Sequence, residues 1–302
     1  MITIFTPSYN RVTKLPALYQ SLLRQSDHRF EWILVDDGSK DDTKGLVEGW
    51  KDNDYFPVRY YYQENGGKHS AINYGVKQAS WDWFFIVDSD DYLTDDAVEK
   101  IHAWIETVDN DSIAAVSGVK CFPSKKIIGQ CGVNIGEYID VPNNLRKKYR
   151  LLGDKAEVYR TEILRQFTFP VFPGERFLPE GAVWDAIALA GYKVRWFSDP
   201  IMICEYLDDG LSAQNRTADI GARDFQGYTY YTQVELKVYR GLERIRIICQ
   251  YINKARKKKM SMTAVSKIID VNRYLCCILL LLVYIKELFG KLKNFGKYYS
   301  LF

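Results

Sequence analysis

Three carboxylates crowd into Val87-Asp88-Ser89-Asp90-Asp91, at the end of an apolar run. Carboxylates this dense repel one another unless a cation neutralises them. Hard divalent ions such as Mg²⁺ or Mn²⁺ take such oxygen ligands and bridge them to substrate phosphates. Two further polar segments close apolar runs in the same way, Thr6-Pro7-Ser8-Tyr9-Asn10 and Asp36-Asp37-Gly38-Ser39. Asp36 and Asp37 suit hydrogen bonds from a base or ribose, and Tyr9 suits stacking on a planar ring or packing beside a sugar. The plainer use of Asp-Gly-Ser is a turn that caps the next helix. In Asn65-Gly66-Gly67-Lys68, glycines ahead of a helix let backbone amides approach an anion, and Lys68 adds a positive charge. The segment is neither a P-loop nor a dinucleotide fingerprint, whose glycine spacings differ.

Positioning these segments falls to short apolar runs that alternate with amphipathic stretches over the first hundred residues, the pattern of βαβ units feeding a mostly parallel sheet. Strands are expected near Met1–Thr6, Glu31–Asp36, Val58–Gln63, Trp83–Asp88 and Ile113–Lys120. Helices are expected over Lys14–Gln25, Asp41–Trp50 and Asp95–Thr107, with a shorter one ending over Asn73–Ala79. Ligands of such a sheet bind beyond the carboxyl ends of its strands, where the acidic segments fall. Residues 121–180 scatter Gly, Pro and Lys among short apolar pieces and read as hairpins and loops. A helix over Glu180–Ala190, closed by Gly191, precedes strands at Lys193–Phe197 and Met202–Tyr206 and a polar loop at 208–224.

With 302 residues, 26% charged, 47% hydrophobic and 15% aromatic, the chain suits one large α/β domain or one domain plus an appendage, and collagen-like or largely disordered classes are excluded. Six cysteines form no CxxC pair and have no histidine at ligand spacing, which argues against zinc. With no basic leader ahead of the first strand, they point to a reducing, cytosolic compartment. The net charge of +3 hides a division, because Lys237 to Phe302 hold fifteen basic and three acidic residues. Within that region Tyr274–Ile285 is uncharged and nearly all apolar, shorter than the ~20 residues of a membrane span. Lys254 and Arg256 to Lys259 precede it, and Lys286, Lys291, Lys293 and Lys297 follow. The combination suits attachment to an anionic membrane surface, with a core-capping helix as the alternative. Nucleic-acid binding by the basic residues is a rival that the apolar stretch weakens.

In order and spacing over residues 1–110, Thr6-Pro7-Ser8-Tyr9-Asn10, Val35-Asp36-Asp37-Gly38-Ser39 with Asp42 and Thr43, Asn65-Gly66-Gly67 with Asn73, and Asp88-Ser89-Asp90-Asp91 resemble the inverting glycosyltransferases of family 2. That resemblance implies the GT-A fold, a Rossmann-like α/β domain that binds nucleotide sugars. It implies transfer of a sugar from a nucleoside diphosphate donor, usually a UDP-sugar, to an acceptor hydroxyl, with Mn²⁺ or Mg²⁺ as cofactor. Pro7, Tyr9, Asp36 and Asp37 then border the nucleoside, and Asn65 and Lys68 belong to the donor side, with Lys68 near the nucleotide. Asp88 and Asp90 form the Asp-x-Asp motif, Asp90 as the direct metal ligand and Asp88 nearer the ribose and metal. The catalytic domain is expected over 1–225, nucleotide-binding to 110 and acceptor-side beyond, with a helical basic and apolar extension over 226–302. Family habit and the extension together suggest a lipid-linked saccharide acceptor of bacterial capsule or exopolysaccharide synthesis, at the cytoplasmic face of the inner membrane. Nucleic acid is not an expected partner.

Inverting transfer needs a base opposite the departing diphosphate. The three histidines, His28, His69 and His102, all come early, which favours a carboxylate. Family members commonly start a helix here with an acidic pair. This sequence has Pro179-Glu180-Gly181-Ala182-Val183-Trp184-Asp185, with Gly181 in the place of the second acid. Glu180 is the first candidate and Asp185 the second, about 140° further round a helix. Trp184 reads better as a core aromatic than as a sugar platform. Tyr206 to Ser212 resemble the loop that closes over the donor, without the family's histidine. A nucleotidyltransferase would share the carboxylates but expects a glycine-rich loop after the first strand, and Thr6–Thr13 has no glycine.

Overall fold

The structure, a computed structural model, describes residues 1–205 and 223–285. The N-terminal unit, Met1–Ala218, is built on nine strands: β1 (Ile2–Ser8), β2 (Phe30–Asp36), β3 (Val58–Tyr62), β4 (Trp83–Ile86), β5 (Tyr92–Leu93), β6 (Ile113–Cys121), β7 (Tyr138–Val141), β8 (Lys155–Arg160) and β9 (Lys193–Ile203). Its helices are α1 (Leu15–Leu23), α2 (Thr43–Glu48), α3 (Lys68–Gln78), α4 (Ala97–Glu106), α5 (Thr161–Gln166) and α6 (Gly181–Leu189). Every residue of β1 and β2 is buried, as continuous apolar strands covered on both faces must be. On one face Ile2 and Ile4 join Leu15, Leu18 and Leu22 of α1 and Ile101 and Trp104 of α4 in the main core. On the other, α3 comes so close that a Cβ at Gly75 would stand 2.3 Å from the Phe5 ring.

The strand order is β3-β2-β1-β4-β8-β6-β9-β5, with β7 beside β9. The first four strands are parallel, as the alternating pattern predicts. Beyond them the sheet is mixed, since β8 runs antiparallel to both neighbours. Residues 121–180 therefore hold more than hairpins and loops, for β8 lies inside the sheet. Its signal is faint because it is short, with Lys155 and Arg160 at its ends. Only Ala156 and Val158 turn to the main core, while Glu157 and Tyr159 alternate to the opposite face. The two strands expected over 193–206 are one, β9. The polar Ser198-Asp199-Pro200 interruption is absorbed by register shifts against β6 instead of ending the strand.

The second unit, Asp219–Phe302, is helical over Phe225–Val238, Gly241–Lys257, Met262–Ile269 and Arg273–Ile285. Its own core gathers Ile248, Tyr251, Ile252, Val265, Ile269, Cys276, Leu279 and Val283. Ser261 Oγ caps the third helix by accepting from the Ala264 N–H. Among the described residues no single helix is long and apolar enough to cross a membrane. Only Met262–Ile269 and Arg273–Ile285 together reach that length, bent by 115°. Lys286, Lys291, Lys293 and Lys297 lie outside the described residues, as do Tyr206 to Ser212 of the expected donor-closing loop.

Candidate active site

Register brings the polar segments together. Ser8 pairs with Asp36 and Asp36 with Tyr62, so β1, β2 and β3 finish level. The Val87 N–H donates to the Phe5 carbonyl at 2.9 Å, which sets Asp88 beside them. The turns are then laced across the gaps. Asn10, at φ 53°, accepts from the Lys40 N–H at 2.8 Å, and its own N–H donates to Ser39 Oγ at 2.8 Å. Gly38, at φ +86°, lies so near Asn65 that a Cβ would stand 2.9 Å from the Asn65 nitrogen.

The acidic pair at the end of β2 is committed to the protein's own donors. Asp36 accepts from the Ser39 N–H at 2.7 Å and the Tyr60 hydroxyl at 2.8 Å. Asp37 accepts from Gln63 Nε2 at 2.7 Å and from the Gly66 and Gly67 N–H groups, each at 2.8 Å. The anion that the glycine amides ahead of α3 approach is thus the protein's own Asp37 carboxylate. The cationic side chain at this helix start is Lys68.

Lys68 opens α3, and its ammonium lies 2.5 Å from Asp88 Oδ1 and 2.7 Å from Glu180 Oε1. Its reach depends on Gly67, at φ +89°, where a Cβ would stand 2.1 Å from the Arg176 carbonyl oxygen. Backbone therefore meets backbone between the start of α3 and the segment leading into α6. Burial opposes the Lys68 charge, but Asp88 and Glu180 outweigh it and hold its pKa above the ordinary lysine value. Asp88 shows the converse, since burial raises its pKa and Lys68, Lys120 and Arg11 bring it below the usual carboxylate range. Asp91 is more deeply set, and burial keeps its pKa high although Lys120 Nζ is 3.2 Å away. Asp90 lies 3.7 Å from Arg11 Nη2.

Two oxygen-bearing side chains at the end of β4, Asp88 and Asp90, have the donor chemistry that Mg²⁺ or Mn²⁺ takes. Among the described residues no group of three or more His, Cys, Asp or Glu side chains is gathered to hold a metal. The donor set fits a cation completed by a ligand's phosphate oxygens.

Of the other expected residues, Tyr9 is 43% exposed at the end of β1, while Pro7 is buried and Asn65 half-buried. Glu180 is the N-cap of α6 and joins Lys68, whereas Asp185 is buried one turn on, accepting from Asn143 Nδ2 at 2.7 Å. Trp184 is a core residue, stacked on Tyr159 at 4.3 Å. Sequence reasoning passed over Arg11 and Lys120. Lys120 ends an expected strand, so the rule that singled out the acids was available for this base too.

The glycosyl transferase family 2 domain is matched over residues 3–167. An uncharacterized glycosyltransferase of Haemophilus influenzae is 37% identical over 107 residues, 35% of this chain and 35% of the relative. A poly-beta-1,6-N-acetyl-D-glucosamine synthase of Staphylococcus aureus is 27% identical over 209 residues, 67% of this chain and 49% of the relative. The chain spans 20% to 38% of the length of several other curated relatives. In fold it is similar to S. aureus TarS 1–349 in complex with UDP-GlcNAc, with a TM-score of 0.63 and 20% identity over 85% of this chain and 72% of that one. It is also similar to the mannosyltransferase PcManGT of Pyrobaculum calidifontis in complex with GDP-Man and Mn²⁺, with a TM-score of 0.54 and 16% identity over 100% of this chain and 80% of that one. A domain match over more than half of the chain takes in the strand ends, the glycine turn and the acidic motif, and it makes this protein a member of glycosyl transferase family 2.

Proposed function

We propose that this glycosyltransferase moves a sugar from a nucleoside diphosphate donor, a UDP-sugar, to an acceptor hydroxyl with inversion, using Glu180 as the base. The observation that carries the reading is the meeting of Glu180, Lys68 and Asp88 across 2.7 and 2.5 Å, which puts a candidate base, a cation and the donor-side motif in one place. Glu180 takes the proton of the attacking hydroxyl, and the Lys68 ammonium meets the charge that grows on the departing diphosphate. Tyr9, Pro7, Asp36, Asp37 and Asn65 border the nucleoside, the two aspartates by shaping the turns. Asp90, with Asp88 beside it, would hold a divalent cation, which would supply charge neutralisation for the leaving group. The UDP-GlcNAc of TarS and the Mn²⁺ of PcManGT support this choice of donor class and ion. Asp185, tied to Asn143, is the weaker candidate for the base.

The acceptor we infer is a lipid-linked saccharide of bacterial capsule or exopolysaccharide synthesis, met at the cytoplasmic face of the inner membrane. Support comes from helix Arg273–Ile285, which exposes Tyr274, Ile278, Leu281 and Leu282 while Cys276, Leu279 and Val283 face the core of their unit. The Arg256 guanidinium lies 4.7 Å over the Tyr284 ring, so basic charge adjoins that apolar face as attachment to anionic lipid requires.

A panel of nucleotide sugars assayed with Mg²⁺ or Mn²⁺ for release of free nucleoside diphosphate tests the reading. Release from a UDP-sugar, lost on chelation and in Asp90→Ala, is the expected result. Absence of release from every donor, with and without saccharide acceptors, overturns it.

A further inference from the structure

One ammonium serves two carboxylates here, Asp88 of the donor-side motif and Glu180 at the start of α6, and the three side chains keep 27%, 31% and 33% of their surface exposed. A carboxylate held in a charge-assisted bond to an ammonium is a poor proton acceptor, and an ammonium saturated by two carboxylates is a poor partner for phosphate. The two tasks given to these residues in sugar transfer therefore exclude each other in the arrangement observed. Resting on that reading, we propose that Lys68 couples the substrates: it holds Glu180 in the donor-free protein, and the donor's diphosphate draws it away, so the base is released only when the donor is in place.

The local construction suits such an exchange. Gly67 packs directly against the Arg176 carbonyl, which anchors the root of Lys68, whereas its four-carbon stem turns about several bonds without backbone movement. A diphosphate carries more charge than the carboxylate it displaces. Glu180 remains fixed as the N-cap of α6, its carbonyl accepting from Val183 and Trp184 N–H at 2.9 and 3.1 Å, so releasing its side chain leaves the helix intact.

Calorimetric titration of the full chain with UDP, GDP, ADP and dTDP in the presence of Mg²⁺ tests the coupling without need of an acceptor. For the nucleotide that binds most tightly, Glu180→Gln removes the competitor for Lys68 and should tighten binding about two- to fivefold, the range of a partly exposed ion pair. In Lys68→Met, or in Lys68→Gln where Met does not fold, adding Glu180→Gln should leave affinity unchanged. Lys68→Arg should restore the tightening. No tightening in the single variant overturns the coupling, and so does equal tightening with and without Lys68, which would mark a general effect of lost negative charge. Binding of none of the four nucleotides overturns the donor reading together with the coupling, whereas nucleotide binding without coupling overturns the coupling alone.

Discussion

Asp37 supplies an anion to the glycine amides ahead of α3, and its two oxygens satisfy Gln63 and the Gly66 and Gly67 N–H groups. Removing that acceptor leaves buried donors unmet, at about 1–3 kcal/mol each. Asp37→Ala should therefore lower the urea midpoint of unfolding markedly. Glu180→Gln, by contrast, should leave unfolding nearly unchanged and reduce transfer by about 10²- to 10⁴-fold, read as sugar transfer at saturating donor. Normal transfer in that variant excludes Glu180 as the base. Lys155 in β8 offers a pH signature. Burial and the nearby Arg146 bring its pKa from 10.5 down to about 8. Between those values the unfolded chain binds the extra proton, so stability should rise as pH increases from about 8 towards 10.5. Lys155→Met should flatten that part of the curve in unfolding measured against pH.

Among the elements, α3 does most to assemble the site, and its placement turns on two glycines. Gly75 admits the Phe5 ring and Gly67 admits the Arg176 carbonyl. Gly67→Ala faces both a left-handed φ and a 2.1 Å approach to backbone. It should destabilise the fold by about 1–3 kcal/mol and lower turnover by moving Lys68 out of reach of the donor's diphosphate, which thermal unfolding and steady-state rates report. The first four strands and the helices between them were legible because period and turn residues are local signals. The sheet position of β8 was not, since a six-residue strand with charged ends declares itself only through Val158 packing in the core and its pairing to β4 and β6.

At the scale of the whole chain, basic residues outnumber acidic ones by fifteen to three from Lys237 to Phe302, and helix Arg273–Ile285 turns Leu281 and Leu282 outward at 62% and 50% exposure. Flotation with vesicles rich in anionic lipid should carry the protein upward, and added salt should weaken this. Ile278→Asp with Leu282→Asp should abolish flotation while the unfolding transition stays in place, because both side chains are exposed. Retained flotation in that variant places the lipid contact elsewhere. The amino-acid sequence alone determined the α/β class, the parallel start of the sheet, the grouping of polar segments at strand ends and the charge division, all consequences of patterns within short stretches. Tertiary structure decided which of those polar groups face one another. It turned Asp36 and Asp37 inward to build turns, set Asp185 against Asn143, and brought Lys68 to Asp88 and Glu180, which lies more than a hundred residues further along the chain. Such contacts arise from strand register and helix packing, and no local pattern records them.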